Sequence, residues 1–126
     1  MTNKKKKVLI VEDDKMIVEM YKLRLEGEGY EVLTTDRGTE ALQLAKEQQP
    51  ALVLLDIILP EIDGFTILQN LKADNATRDI PVIMLTNLAQ ESDKQKGQEL
   101  GAIEYFVKSQ HTPAEIFELI NNYIKK

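Results

Sequence analysis

The stretch from Ala51 to Gly64 constrains the fold more than any other part of the chain. It reads A-L-V-L-L-D-I-I-L-P-E-I-D-G, so five apolar residues run directly into Asp56. A continuous apolar run of this length is typical of a strand buried on both faces, as in a parallel sheet. Pro60 and Gly64 shape the loop that follows. Because open α/β sheets bind ligands at the carboxyl ends of their strands, we expect Asp56 to lie at the mouth of a site.

Strand and helix patterns alternate along the rest of the chain. The other predicted strands are Val8–Val11, a more polar edge strand at Tyr30–Thr35, Val82–Leu85 and Ile103–Val107. Amphipathic or polar helical segments separate them, at about 15–26, 39–48, 64–73 and 90–100, with a last helix from Pro113. The alternation predicts an α/β fold: one five-stranded parallel sheet in the order 2-1-3-4-5, a flavodoxin-like (βα)5 three-layer sandwich.

Short signals fix the helix ends and faces. Asp14 and Asp63 are placed to cap the first and third helices, and Thr112 to Glu115 reads as a capping box. The apolar stripe predicted for the last helix contains Ile116, Leu119, Ile120 and Tyr123. We expect His111, the only histidine, to lie in an exposed loop.

Composition limits the class of protein. The length of 126 residues predicts a single domain over residues 1–126, with residues 1–6 as a flexible basic tail. There is no cysteine, and no apolar run approaches the roughly 20 residues that span a bilayer. No signal peptide is evident, so we expect a cytoplasmic protein that does not bind membranes. The net charge of -5 argues against direct binding of nucleic acid.

Polar residues end four of the five predicted strands. They are Glu12 and Asp13, Asp56, Thr86 and Lys108. In the predicted strand order these four strands are neighbours, so the side chains converge. Carboxylates brought together repel unless a cation lies between them, and oxygen ligands suit Mg²⁺. A lysine and a hydroxyl beside that ion offer what a phosphoryl group needs, and aspartate can act as a nucleophile toward phosphorus.

The motifs V-L-I-V-E-D-D, L-L-D-I-I-L-P-E-I-D-G, M-L-T-N and Y-F-V-K-S resemble the receiver domain of bacterial two-component response regulators. The resemblance covers the chain from about residue 7 to the end. It implies a switch rather than an enzyme acting on other substrates. It also implies that Asp56 takes a phosphoryl group from a sensor histidine kinase or a phosphotransfer protein.

The resemblance also implies roles for the other residues. Mg²⁺, or Mn²⁺ in its place, is held by Asp13 and Asp56, by Glu12 through water, and by the backbone carbonyl of Ile58. Lys108 pairs with the phosphoryl group and, in the resting state, with Asp56. Thr86 and Tyr105 shift on phosphorylation. A downstream protein then binds the fourth helix, fifth strand and fifth helix of a monomer or a phosphorylation-dependent dimer.

Some residues depart from the family pattern. Asn87 stands where a small residue is usual and could narrow access to Asp56, and Ser109 replaces a proline whose peptide bond is often cis. Ile58 and Leu88 are apolar and cannot hold a hydrolytic water by hydrogen bonding, so we predict slow loss of the phosphoryl group. The fourth helix is polar and contains Gly97, so we expect it to be loose and to become ordered on activation.

Other functions stay open at the level of sequence. Within the family, the chain could be a receiver fragment of a longer DNA-binding response regulator. A flavodoxin-like binder of small molecules would need a phosphate-cradling loop after the first strand, where this chain has three acids. A phosphatase of the haloacid dehalogenase type would need a second aspartate two residues after Asp56, where this chain has Ile58.

Overall fold

A computed structural model describes residues 5–124 and contains five strands and five helices in that range. The strands are β1 (Lys7–Val11), β2 (Glu31–Thr35), β3 (Leu52–Leu55), β4 (Val82–Thr86) and β5 (Glu104–Val107). The helices are α1 (Lys15–Gly27), α2 (Gly38–Gln48), α3 (Gly64–Ala73), α4 (Glu91–Glu99) and α5 (Pro113–Ile124). A short 3-10 turn, Lys108–Gln110, links β5 to the loop before α5.

The sheet has the predicted order β2-β1-β3-β4-β5, and every pair of neighbours is parallel. β1, β3 and β4 are buried at almost every position, because helices cover both of their faces. β2 forms one edge and is exposed or half-buried at every position except the buried Thr35, which fits its polar sequence. The strand order therefore brings the carboxyl ends of β1, β3, β4 and β5 side by side.

Two apolar clusters, one on each face of the sheet, form the core. On one face α1 and α5 pack Tyr21, Leu25, Ile116 and Ile120 against the sheet. On the other face α2 and α3 contribute the buried residues Ala41, Ala45, Ile67, Leu68 and Leu71, while Leu100, after α4, is only half-buried. The three-layer sandwich predicted from the sequence is confirmed.

The predicted helix caps are present. The Asp14 carboxylate accepts hydrogen bonds from the N–H groups of Met16 and Ile17, and Asp63 accepts one from Thr66. At α5 the capping box is reciprocal: Glu115 accepts from the Thr112 N–H, and the Thr112 hydroxyl accepts from the Glu115 N–H. These contacts satisfy backbone donors that a helix start leaves without intrahelical partners.

Two expectations for individual residues were wrong. Tyr123 was expected on the buried face of α5, but it is 43% exposed. Phe117 and Ile124 lie on that buried face instead. His111 is half-buried because its ring packs edge-on against Phe106, with the ring centres 5.2 Å apart. Lys6 is bonded to the fold, since its carbonyl accepts from the Glu31 N–H and its ammonium donates to the Ile124 carbonyl at 2.6 Å.

Residues 1–4 of the expected tail lie outside the described residues. Within residues 5–124, none of the helices combines the length and the apolar character needed to cross a bilayer.

Candidate phosphoacceptor and metal site

Asp56 follows directly on β3 and is held in a fixed orientation. Its side chain is buried, at 7% relative exposure for the residue. Oδ1 accepts a hydrogen bond from the Ile57 N–H at 2.7 Å and a longer one from the Ile58 N–H at 3.4 Å. The loop backbone therefore occupies one carboxylate oxygen and leaves Oδ2 directed to the other groups of the site.

Gly64, the first residue of α3, allows the loop after Asp56 to close tightly. A Cβ atom at Gly64 would lie 2.2 Å from the Asp56 carbonyl oxygen and 2.6 Å from the Ile57 Cα. Both are backbone atoms, so the loop would have to move for any larger residue to fit. The Gly64 N–H donates to the Ile57 carbonyl at 2.8 Å, which fixes α3 against the end of β3.

Glu12, Asp13 and Asp56 form an acidic cluster, each with a carboxylate oxygen within 4.8 Å of the others. Glu12 is buried, and its Oε2 accepts from the N–H groups of Asp13 and Asp14 at 3.0 and 3.1 Å. Burial raises the pKa of Glu12, and the charge of Asp56 adds to the effect, while hydrogen bonds from Lys108 and Asp14 oppose it. Asp13 is exposed and faces solvent at the edge of the cluster.

Lys108 joins two of these acids. Its ammonium donates to Asp56 Oδ2 at 3.1 Å and also to Glu12 Oε1. Burial by itself would lower the pKa of Lys108, but the hydrogen bond to Glu12 and the charges of Asp56 and Glu12 outweigh it and raise the pKa. The ammonium therefore stays protonated and neutralises part of the acidic cluster. The pairing with Asp56 was expected, whereas the pairing with Glu12 was not.

The donor set of the cluster fits a divalent cation. All three side chains offer hard carboxylate oxygens, the ligand type that Mg²⁺ prefers. The exposed Asp13 leaves a side open for water ligands, which Mg²⁺ retains. The backbone of Ile58 lies beside Asp56, as its N–H contact shows, and the role of its carbonyl stays a prediction.

Thr86 and Tyr105 meet at the loop after β4. The Thr86 hydroxyl is buried and accepts from the Leu88 N–H at 3.4 Å, while the Tyr105 hydroxyl donates to the Leu88 carbonyl at 2.7 Å. Burial, with the charges of Asp93 and Asp56, raises the pKa of Tyr105 to about 12. Both predicted switch residues are thus tied to the backbone of a single residue, which the sequence did not reveal.

The residues that depart from the family pattern surround this site. Asn87 and Ser109 are exposed, and the peptide bond between Lys108 and Ser109 is trans. Ile58 is 59% exposed, and Leu88 is half-buried against the core. Neither apolar side chain offers a hydrogen-bonding group toward Asp56.

Comparison with known proteins identifies the class. Residues 8–121 match the family model for the response regulator receiver domain. The chain therefore belongs to the receiver-domain family of two-component response regulators, as its motifs indicated.

Curated relatives fall into two groups by length. The DivK polar-differentiation response regulator of Brucella anthropi is 39% identical over 119 residues, which cover 94% of this chain and 96% of that protein. The probable transcriptional regulator ycf27 of Porphyra purpurea is 37% identical over 126 residues, which cover all of this chain and 50% of that protein. The chain thus spans about half the length of the first relatives that it matches.

Solved structures share the fold. The receiver domain of the sensor histidine kinase PA1611 from Pseudomonas aeruginosa superimposes with a TM-score of 0.85, at 26% identity. The match covers 98% of this chain and all of that one. That structure holds a magnesium ion coordinated in its active-site cleft.

Proposed function

We propose that this receiver is a phosphorylation-driven switch in which Asp56 accepts a phosphoryl group from the phosphohistidine of a sensor kinase or a phosphotransfer protein. One observation carries the proposal. Asp56 has one carboxylate oxygen held by backbone N–H groups, while the other lies 3.1 Å from the Lys108 ammonium, beside two further acids. A carboxylate that served only to stabilise the fold would not need the exposed Asp13 next to it.

Glu12, Asp13 and Asp56 would hold a Mg²⁺ ion, or Mn²⁺ in its place, with Glu12 acting through water and the Ile58 carbonyl as a further ligand. The magnesium ion in the active-site cleft of the PA1611 receiver supports this assignment. The bound cation supplies positive charge that offsets the negative oxygens of the phosphoryl group.

Asp56, Lys108 and Thr86 each have a part in the phosphoryl transfer. An oxygen of Asp56 forms the new P–O bond as the P–N bond of the phosphohistidine breaks, and the imidazole nitrogen leaves with the electron pair. Lys108 moves its hydrogen bond from the Asp56 carboxylate to a phosphoryl oxygen, and the Thr86 hydroxyl donates to another. The chain acts on its own side chain and on no other substrate, and a small phosphodonor can replace the kinase.

The output surface is α4, β5 and α5. Ile103 and Tyr123 expose apolar surface there, and a cleft between α4 and β5 is lined by Lys94, Gln98 and Tyr105. A downstream protein binds this surface once Thr86 and Tyr105 have shifted, and the receiver is a monomer or dimerises on phosphorylation. Tyr105 lines this cleft, and it is bonded to the backbone of the same residue, Leu88, as Thr86, so the tyrosine can connect the site with this surface.

Intact-mass measurement after incubation with Mg²⁺ and acetyl phosphate tests the proposal. We expect a gain of one phosphoryl group in the wild type, no gain after chelation of Mg²⁺, and no gain in Asp56→Asn. Asp63→Asn is the matched control because Asp63 caps α3 outside the acidic cluster. A gain in Asp56→Asn equal to that of the wild type would refute the assignment of Asp56.

A second candidate is a receiver that forms part of a longer DNA-binding regulator, because the ycf27 relative extends to twice the aligned length. The mass of the protein as its own cells produce it distinguishes the two. A mass of 14.4 kDa supports the stand-alone switch. A mass near twice that value supports the longer regulator.

A further inference from the structure

Helix α4 lacks the apolar stripe by which surface helices usually dock. Its sequence, E-S-D-K-Q-K-G-Q-E, has no large apolar residue, and Gly97 is its single buried position. A helix that is polar all round needs some other attachment to stay on the sheet. The Lys96 ammonium supplies one, lying 4.6 Å from the centre of the Phe65 ring of α3.

Gly97 supplies the closer attachment, and its partner is Tyr105. A Cβ atom at Gly97 would lie 3.0 Å from Cδ2 of the Tyr105 ring and 3.6 Å from the Met84 Cγ. The helix backbone therefore rests against the edge of the ring, so closely that a Cβ atom at Gly97 would fit only if the ring moved by a few tenths of an ångström. The absence of a side chain at Gly97 brings α4 and β5 together.

Tyr105 is held at its other end by the loop that leads into α4. Its hydroxyl donates to the Leu88 carbonyl at 2.7 Å, and the Leu88 N–H donates to the Thr86 hydroxyl at 3.4 Å. The ring thus lies between the β4–α4 loop and the middle of α4. Any movement of the ring changes the contacts of both.

We propose that Gly97 is a positioning residue for Tyr105, and that the Tyr105 ring is in turn the surface on which α4 docks. The position of the Tyr105 ring and the attachment of α4 to the sheet then change together, and the space at Gly97 determines both. For signalling, this inference rests on the proposed function, because it names the contact through which a shift of Tyr105 reaches the output surface.

The simpler alternative is that Gly97 only lowers the stability of α4. Glycine is a poor helix former, so its replacement by alanine in an unobstructed helix strengthens the helix. Gly27, at the end of α1, provides the comparison, since a Cβ atom there would meet nothing within 4 Å. The two explanations predict opposite effects of Gly97→Ala.

Hydrogen exchange of α4 amides in the unphosphorylated protein distinguishes them. The N–H groups of Lys94 and Leu100 report on the helix, since they donate to the Gln90 and Lys96 carbonyls. We expect Gly97→Ala to speed their exchange about tenfold, the usual scale of an overpacked contact. Gly27→Ala should leave exchange in α4 unchanged.

The decisive measurement repeats Gly97→Ala in a protein that lacks the Tyr105 ring. In a Tyr105→Ala background the obstruction is gone, so Gly97→Ala should slow exchange of the α4 amides about fivefold, as helix propensity alone predicts. Tyr105→Leu is the reserve background should Tyr105→Ala unfold, because leucine keeps apolar contact with a shorter reach than the ring. Gly97→Ala should therefore speed exchange of the α4 amides when the Tyr105 ring is present and slow it when the ring is absent. This change of direction identifies the contact between Gly97 and the ring.

Slower exchange after Gly97→Ala in both backgrounds would overturn the inference and leave Gly97 as a weak helix residue. Faster exchange in both backgrounds would overturn it too, because the obstruction would then not be Tyr105. Neither result depends on a phosphodonor. A failure here is therefore separate from a failure of phosphorylation at Asp56, which the mass measurement detects.

Discussion

Lys108 holds together two carboxylates that would otherwise face each other in a largely buried site. Its ammonium contacts both Glu12 and Asp56, and its side chain is only 14% exposed. A cation placed between buried acids offsets the cost of removing them from water. Without a divalent ion, the lysine is therefore the main counter-charge of the acidic cluster.

Removing this lysine should make the fold depend on the metal. We expect Lys108→Ala to lower the free energy of unfolding by about 3 kcal/mol without Mg²⁺, because it leaves buried charges unpaired. Saturating Mg²⁺ should restore much of that loss, so the shift in Tm on adding Mg²⁺ should exceed the wild-type shift. Thermal unfolding with and without Mg²⁺ measures both.

Lys46→Ala is the control, since Lys46 pairs with Asp74 at 3.2 Å in a more exposed setting. Lys46→Ala should change the free energy of unfolding and the Mg²⁺-induced shift in Tm by no more than the small amount typical of surface pairs. A Mg²⁺-induced shift in Lys108→Ala no larger than that of the wild type would contradict the expectation.

The apolar residues Ile58 and Leu88 should prolong the life of the phosphoryl group. Hydrolysis needs a positioned water, and neither side chain can hold one by hydrogen bonding. We expect Ile58→Asn with Leu88→Glu to speed the decay of phosphorylated Asp56 roughly tenfold, a modest gain for a positioned reactant. The decay of the phosphorylated mass over time is the measurement.

Leu23→Asn is the matched control, because Leu23 is 76% exposed on α1, away from these loops. It should leave the decay rate as it is. The prediction fails if the double variant decays at the wild-type rate.

Much of the site could be predicted from the sequence because parallel strands carry their carboxyl ends to one edge. That rule was enough to bring Asp56, Glu12 and Lys108 together. It could not give the bond from Lys108 to Glu12, since the reach of a long side chain across intervening strands depends on its rotamer. For the same reason it gave no partner for the Tyr105 hydroxyl.

Helix α5 begins with a capping box whose strength depends on the charge of Glu115. The Glu115 carboxylate accepts from the Thr112 N–H at 2.7 Å. This hydrogen bond, together with the Thr112 hydroxyl, holds the pKa of Glu115 below its ordinary value of 4.5. The folded state therefore binds the proton less readily than the unfolded chain does.

The sign of the pH effect follows from this difference. The contribution of Glu115 to stability should be complete above pH 4.5 and lost as the pH falls through the lower folded-state pKa. We expect the amide of Thr112 to lose protection in acid before the rest of α5 unfolds, which NMR across a pH series detects.

Glu115→Gln should remove this pH dependence while keeping an oxygen that can accept the bond. Glu118→Gln, an exposed position on the same helix, should leave it in place. A pH dependence at Thr112 that persists in Glu115→Gln would show that another group is responsible.

The helices and strands were easier to predict than their buried faces. Capping residues and apolar runs are local signals, so β1, β3 and the starts of α1, α3 and α5 followed from short stretches of sequence. The face of a helix depends on its neighbours: Tyr123 extends the apolar period of α5, yet Phe117 packs against Tyr21 of α1 and takes the inner side. A periodic pattern alone could not choose between them.

At the scale of the whole molecule, the chain carries a net negative charge. The chain has 21 acidic against 16 basic residues, for a net charge of -5. Binding to DNA draws its non-specific strength from cations that neutralise phosphates. The charge of this chain therefore does not favour binding to DNA.

We therefore expect no measurable binding of this chain to duplex DNA at physiological salt, weaker than roughly 10⁻⁴ M, with or without phosphorylation. Fluorescence anisotropy of a labelled duplex over a series of salt concentrations is the measurement. Micromolar affinity that falls steeply with added salt would contradict it.

The candidate acceptor site is assembled from distant parts of the sequence, since Lys108 lies 96 positions after Glu12 and 52 after Asp56. Synthesis delivers these parts in order from the amino terminus. A nascent chain that has emerged only as far as β4 carries the acids without the lysine that compensates them. The charge-compensated cluster therefore cannot form during synthesis until Lys108 has left the ribosome.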